Sequence, residues 1–159
     1  MEVEMKTSLR LWLLVTIIFF SIYLPVSAAI LTVTGGFDPV VCITDKGKIY
    51  AITSGQPVSI SIDDVGNENR WVLLARVDIQ SPFAKDLDFM LRRTSEGFGP
   101  GYVQGGWSFT PVRMVDTRIF SGWGSIFDVE LQMKIPEISA SFPEGPLNMK
   151  LVLKVVTLE

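Results

Sequence analysis

The ten residues IFDVELQMKI, Ile126 to Ile135, decide the fold class. Phe127, Val129, Leu131, Met133 and Ile135 alternate with Asp128, Glu130, Gln132 and Lys134. Successive side chains of a strand point to opposite faces, so this period of two predicts a strand with one buried and one wet face. The same period returns where Val58, Ile60 and Ile62 alternate with Ser59, Ser61 and Asp63. At the C-terminus Met149, Leu151, Leu153 and Val155 face one way, with Lys150 and Lys154 opposite. From Arg70 to Gln80, Trp71, Leu73, Ala75, Val77 and Ile79 make one face. Val72 and Leu74 on the other face predict a central strand covered on both sides for part of its length.

Shorter strands are predicted at Ile30–Thr34, Val40–Thr44, Lys48–Thr53, Leu87–Arg93 and Val112–Phe120. Turn-forming residues punctuate the runs: Gly35-Gly36, Asp45-Lys46-Gly47, Ser54-Gly55-Gln56-Pro57 and Gly66-Asn67. Eight or nine short strands without a helical stripe predict an all-β fold. The preferred form is an antiparallel immunoglobulin-like β-sandwich of two sheets, and the alternative is a small β-barrel.

A three-part pattern precedes this region. Lys6 and Arg10 form a basic start, Leu11 to Leu24 an apolar run, and Pro25 leads to the small residues Ser27 and Ala28. That order predicts a secretory signal peptide over residues 1–28, cleaved after Ala28, ahead of one domain over 29–159. The competing reading is a retained anchor, but a spanning helix needs about 20 apolar residues. An exported location follows: extracellular, cell surface or periplasm, with membrane contact only through an uncleaved leader.

Hydrophobic residues make up 48% of the chain and charged ones 19%, which excludes intrinsic disorder. The net charge is −3, neither sign forms a block, and no basic stripe is visible, so nucleic acid is not an expected partner. Histidine is absent, which removes the commonest general base and zinc ligand. The single cysteine, Cys42 in VVCI, excludes a disulfide within the chain and reads as either a buried thiol or a reactive one. No nucleophile elbow, phosphate loop or dinucleotide fingerprint occurs, so neither an enzyme nor a cofactor is expected. Asp63 to Glu68, DDVGNE, has oxygen-rich composition without EF-hand spacing and reads first as an acidic turn, with calcium as the alternative.

Ser95 to Phe109, SEGFGPGYVQGGWSF, breaks the strand pattern with five glycines and four aromatics. Tyr102, Trp107 and Phe109, with Trp123 of the following GWG, are the candidate contact surface. Either they stack on a sugar ring or a partner, or they fold back to cap the open end of the sandwich.

The stretch FDVELQMKIPEISASFPEGPLNMKLVLKVV, residues 127–156, resembles the closing hairpin of secreted immunoglobulin-like surface and fibre subunits. Spore-coat-U-like pilins and cell-wall WxL proteins share its cadence, with a P-x-G-x-Tyr turn before the last strand. Pro143-Glu144-Gly145 supplies the P-x-G and Leu147 stands near the usual aromatic, while the families' cysteines and Trp-x-Leu signature are missing. The resemblance implies a non-catalytic structural or adhesive component of a cell envelope or surface fibre. Its expected partner is protein, a second copy or another envelope protein. In such sandwiches an N-terminal segment can complete a neighbour's sheet. Ile30, Leu31 and Val33, followed by Gly35-Gly36, are the candidate exchange strand, against simple pairing with the chain's own C-terminal strand. The alternative function is a secreted carbohydrate- or ligand-binding module that uses the aromatic loop, with a glycan as partner.

Overall fold

The computed structural model describes residues 29–37, 40–45, 48–53, 58–80, 87–139 and 149–158. The predicted leader, the Pro143-Glu144-Gly145 element, Leu147 and the Cys42 side chain lie outside that description. Among the described residues the chain is all-β, without a helix, and its strands form two sheets not closed into a barrel. The strands are β1 (Ile30–Thr34), β2 (Val40–Asp45), β3 (Lys48–Thr53), β4 (Val58–Asp63), β5 (Arg70–Ile79), β6 (Phe89–Arg93), β7 (Tyr102–Gln104), β8 (Thr110–Val112), β9 (Thr117–Trp123), β10 (Ile126–Ile138) and β11 (Met149–Leu158). All pairings are antiparallel.

The first sheet is built around β10. Leu131 stands opposite both Val58 of β4 and Arg93 of β6, and Lys134 opposite both Ile52 of β3 and Met90 of β6. One edge of β10 therefore takes β4 and then β3, while β6 holds the other edge. β1 and β2 extend this sheet outward from β4 and β3, and β8 extends it beyond β6. The second sheet runs β11-β5-β9-β7.

The core lies between the sheets, where period-two alternation points the apolar faces inward. Trp71, Leu73, Ala75 and Val77 of β5 meet Val58, Ile60 and Ile62 of β4 and Val129, Leu131, Met133 and Ile135 of β10 in one buried cluster. Each of the valines, leucines, isoleucines and the methionine stabilises the fold by about 1.5–3 kcal/mol through burial. Trp71 is fully buried, and its indole Nε1–H donates to the Gly124 carbonyl at 2.8 Å, which satisfies its polar atom. Phe120 meets it edge-on at 6.3 Å. Gly122 lies directly beneath this indole. A Cβ there would collide with the Trp71 ring and the Tyr102 carbonyl, so the first glycine of GWG makes room for the core tryptophan.

Four expectations are corrected. Phe127 was expected on the buried face of β10, but the register shifts between Ile126 and Val129, with Asp128 at φ 51°. This bulge turns Ile126 inward and leaves Phe127 half-buried on the outer side, since one extra residue inverts the alternation. The predicted strand Val112–Phe120 is two strands, because the chain changes sheets between β8 and β9. The exposed turn between them is held where Val77 N–H donates to the Arg113 carbonyl at 2.9 Å. A strand, β7, lies inside the glycine-rich segment expected to be wholly loop. Finally, β1 does not pair with the C-terminal strand: it pairs with β4, and β11 pairs with β5 in the other sheet.

Candidate contact surfaces

The aromatic candidates do not form one platform. They occupy three places.

Tyr102 of β7 stands directly opposite Trp123 of β9 on the outer face of the second sheet. Their ring centroids are 4.7 Å apart at 31°, and the residues remain 54% and 40% exposed. Two rings lying flat side by side would keep their centres farther apart, so these lean against each other at a tilt, and both stay in part open to solvent. Beneath them Gly101 N–H donates to the Ser125 carbonyl at 2.7 Å and Gly124 N–H to the Asn69 carbonyl at 3.1 Å. The hydroxyl of Ser125 accepts from Val65 N–H at 3.2 Å, which ties the Asp63–Glu68 turn to the same frame. The pair is therefore presented on fixed backbone.

Trp107 lies elsewhere, over the Arg93 guanidinium, whose carbon is 3.9 Å from the ring centre. Arg93 occupies the inward-facing position after Phe89 and Leu91 of β6 and is only 3% exposed. Its Nε–H donates to the Gly105 carbonyl, one terminal nitrogen to Ser95 O at 3.0 Å and the other to Val103 O at 3.5 Å. Its own backbone N–H donates to Gly106 O at 2.7 Å. A cation from the first sheet thus clasps β7 and the β7–β8 crossover of the second, closing that side of the molecule. Burial pushes the guanidinium pKa down from its ordinary value, opposed by the charge of Glu96, and an arginine stays protonated all the same. Trp107, 47% exposed, is the lid of this clasp.

Phe109 is on the outer face of the first sheet. Arg92 covers its ring at 4.5 Å, Lys134 approaches it at 5.7 Å, and Lys134 also lies 4.8 Å from the Tyr50 ring. Phe98, exposed, leans on Phe127 at 5.8 Å through a two-bond backbone bridge.

Ile30, Leu31 and Val33 form an antiparallel ladder with Asp63, Ile62 and Ile60 of β4. Leu31 packs against the core, whereas Ile30 and Val33 are exposed. Gly35, at φ 90°, follows the strand in a conformation that glycine favours. In the acidic turn the Asp63 carboxylate accepts from Asp64 N–H at 2.7 Å. Among the described residues no three His, Cys, Asp or Glu side chains gather as metal ligands would.

Two features escaped the sequence reading. Arg93 was legible by parity, since Phe89, Leu91 and Arg93 share a face. The other is a basic face. The outward positions of the second sheet carry Arg70 and Arg76 of β5, Arg118 of β9, and Lys150 and Lys154 of β11, against the single carboxylate Asp78. Each cation is isolated in sequence, and only strand pairing assembles them. Asp116 at the margin holds Arg76 at 3.4 Å and Lys154 at 4.0 Å. Hydrogen bonding to Asp78 is the main cause that raises the Arg76 pKa.

A scan against protein-family models, a search of curated proteins and a search of solved structures each return no match to this chain.

Proposed function

We propose that this chain is an exported, non-catalytic structural or adhesive component of a cell envelope or surface fibre. On this reading it is an immunoglobulin-like sandwich, freed from its leader after Ala28, whose subunits join by exchanging β1. The observation that carries the proposal is the way β1 is held. It makes a five-residue ladder to β4 yet commits chiefly Leu31 to the core, and a two-glycine hinge follows it. Backbone ladders are the same whichever copy supplies the strand, so a strand bound mainly by its backbone can move to a neighbour at little cost in packing. The resemblance of residues 127–156 to fibre subunits agrees with this role.

Thr32 and Ser61 are register partners across β1 and β4, which supplies the test. Two proteins are prepared on a Cys42→Ser background, one with Thr32→Cys and the other with Ser61→Cys, then mixed and oxidised. Exchange yields disulfide-linked heterodimers, and the wild type forms oligomers that grow with concentration. A mixture without heterodimers, from a protein monomeric at high concentration, overturns the proposal.

A further inference from the structure

We propose that the outer face of the four-stranded sheet binds an anionic polysaccharide. This goes beyond the assembly role and rests on a different sheet. Three observations carry it.

The first is charge. The chain as a whole is acidic at −3, yet this face carries five cations against Asp78 and, at its margin, Asp116, which pair with Arg76 and Lys154. Among the described residues the opposite outer face has no such excess. There Asp128 accepts a hydrogen bond from the Ser59 hydroxyl and Glu130 one from Thr94, beside Arg92 and Lys134. The segregation favours a negatively charged partner on one side only.

The second is spacing. Arg70 and Arg76 are six residues apart along β5, about 20 Å, and Lys150 and Lys154 are four apart along β11, about 13 Å, at 3.3–3.4 Å per residue. Nucleic acid presents a charge roughly every 1.7 Å of duplex. Against so dense a polyanion, sparse cations on an acidic protein are a poor match. A polymer of acidic sugars, with one carboxylate per pyranose ring, carries charge less densely than a duplex and suits sparse cations better.

The third is the row that carries the aromatic pair. Tyr102, Trp123, Arg70 and Leu158 stand in register across all four strands, because Tyr102 pairs with Trp123, Trp123 with Arg70, and Arg70 with Leu158. The aromatic pair is in large part exposed, and the apolar faces of pyranoses stack on such rings. Val72 and Val156 are register partners beside this row and form an uncharged patch between Arg70 and Lys154. Trp107, clasped over Arg93, takes no part.

Affinity electrophoresis of the purified protein in gels containing polygalacturonate tests the proposal, with dextran as the neutral control. Polygalacturonate is expected to retard the protein and dextran is not, and the retardation falls as salt is raised. Arg70→Glu combined with Lys150→Glu should raise the half-retarding polygalacturonate concentration at least tenfold. Both side chains are exposed, so the fold is retained, as far-UV circular dichroism would confirm. Lys134→Glu, on the other sheet, should leave retardation unchanged. Trp123→Ala should weaken it severalfold at constant charge. The proposal is overturned if polygalacturonate does not retard the protein, or if the double reversal changes nothing. It is also overturned if vesicles of 70% phosphatidylcholine and 30% phosphatidylglycerol, or single-stranded DNA, bind in place of polygalacturonate.

Discussion

Replacing Arg93 by methionine tests the clasp that joins the two sheets. The substitution keeps an unbranched apolar stem and removes the guanidinium. Three side-chain bonds are lost, to Gly105, Ser95 and Val103, together with the Trp107 contact. A hydrogen bond to a charged group contributes about 1.5–3 kcal/mol net, but the buried cation also carries a desolvation cost that disappears with it. What remains is the penalty of three carbonyls left short of a donor, about 1–3 kcal/mol each when fully buried and less at an accessible sheet edge. We expect a total loss of about 3–5 kcal/mol, a large share of the roughly 5–15 kcal/mol that holds a typical domain. Arg93→Lys retains charge but cannot fork to three acceptors, and should recover about 1–2 kcal/mol of that loss. Urea unfolding followed by circular dichroism measures each value from the midpoint at constant slope. A double-mutant cycle with Trp107→Ala isolates the ring–cation contact, expected at about 1–2 kcal/mol because the guanidinium is desolvated. If Arg93→Met costs less than about 1 kcal/mol, or if the two substitutions add within about 0.5 kcal/mol, Arg93 is not a clasp and Trp107 is free for another role.

Gly122→Ala should lower stability by about 2–4 kcal/mol, read as a fall in thermal midpoint, because its Cβ meets the Trp71 ring and the Tyr102 backbone, neither of which can retreat without disturbing the core. Ser125→Ala removes a buried hydroxyl that bonds both the N–H and the carbonyl of Val65. Its cost, measured by urea unfolding, should be about 1–3 kcal/mol. Tyr102→Ala should cost only about 0.5–1.5 kcal/mol, while near-ultraviolet circular dichroism loses the signal of the tilted Tyr102–Trp123 pair.

Strands were legible wherever one face is buried and the other wet, because burial imposes a period of two along the chain. Val58–Asp63 and the β11 face built on Leu151, Leu153 and Val155 were read with their inward residues correct. Reading failed where the period itself is interrupted. Nothing in IFDVE announces that Asp128 adopts a positive φ and swaps the roles of Ile126 and Phe127. Met114 and Val115 look like strand residues, yet they sit exposed in the turn that carries the chain from one sheet to the other. The contact surfaces were less legible for the same reason. Tyr102 and Trp123 are 21 residues apart in sequence and meet only through the β7–β9 register. Trp107 is close to Tyr102 in the chain but belongs to a different structure, since Arg93 holds it at the sheet boundary. The cations of the second sheet come from three strands spread between residues 70 and 154, so no window of sequence contains them together.

On the proposed reading, the neighbouring edges β1 and β11 divide the roles of assembly and ligand binding between them. The strands approach each other across one side of the molecule. β11 is the longer at ten residues, it is mostly apolar, and beyond its pairing with β5 it has no strand partner among the described residues. By length alone it would be the better edge for a neighbour, and such edges invite association. Lys150 and Lys154 oppose that. They project from the outer face four residues apart, so a second β11 laid antiparallel about Val152 would bring Lys150 against Lys154, and about Lys154 would bring that lysine against its own copy. Only registers that offset the lysines escape the repulsion. β1 carries no charge between Ile30 and Thr34, and its ladder to β4 needs no register other than the one it already has. The lysines that oppose a second β11 are also two of the five cations on the face proposed to bind a polyanion. On the proposed reading, one pair of residues thus keeps the basic sheet open as a surface and leaves β1 as the strand that subunits exchange.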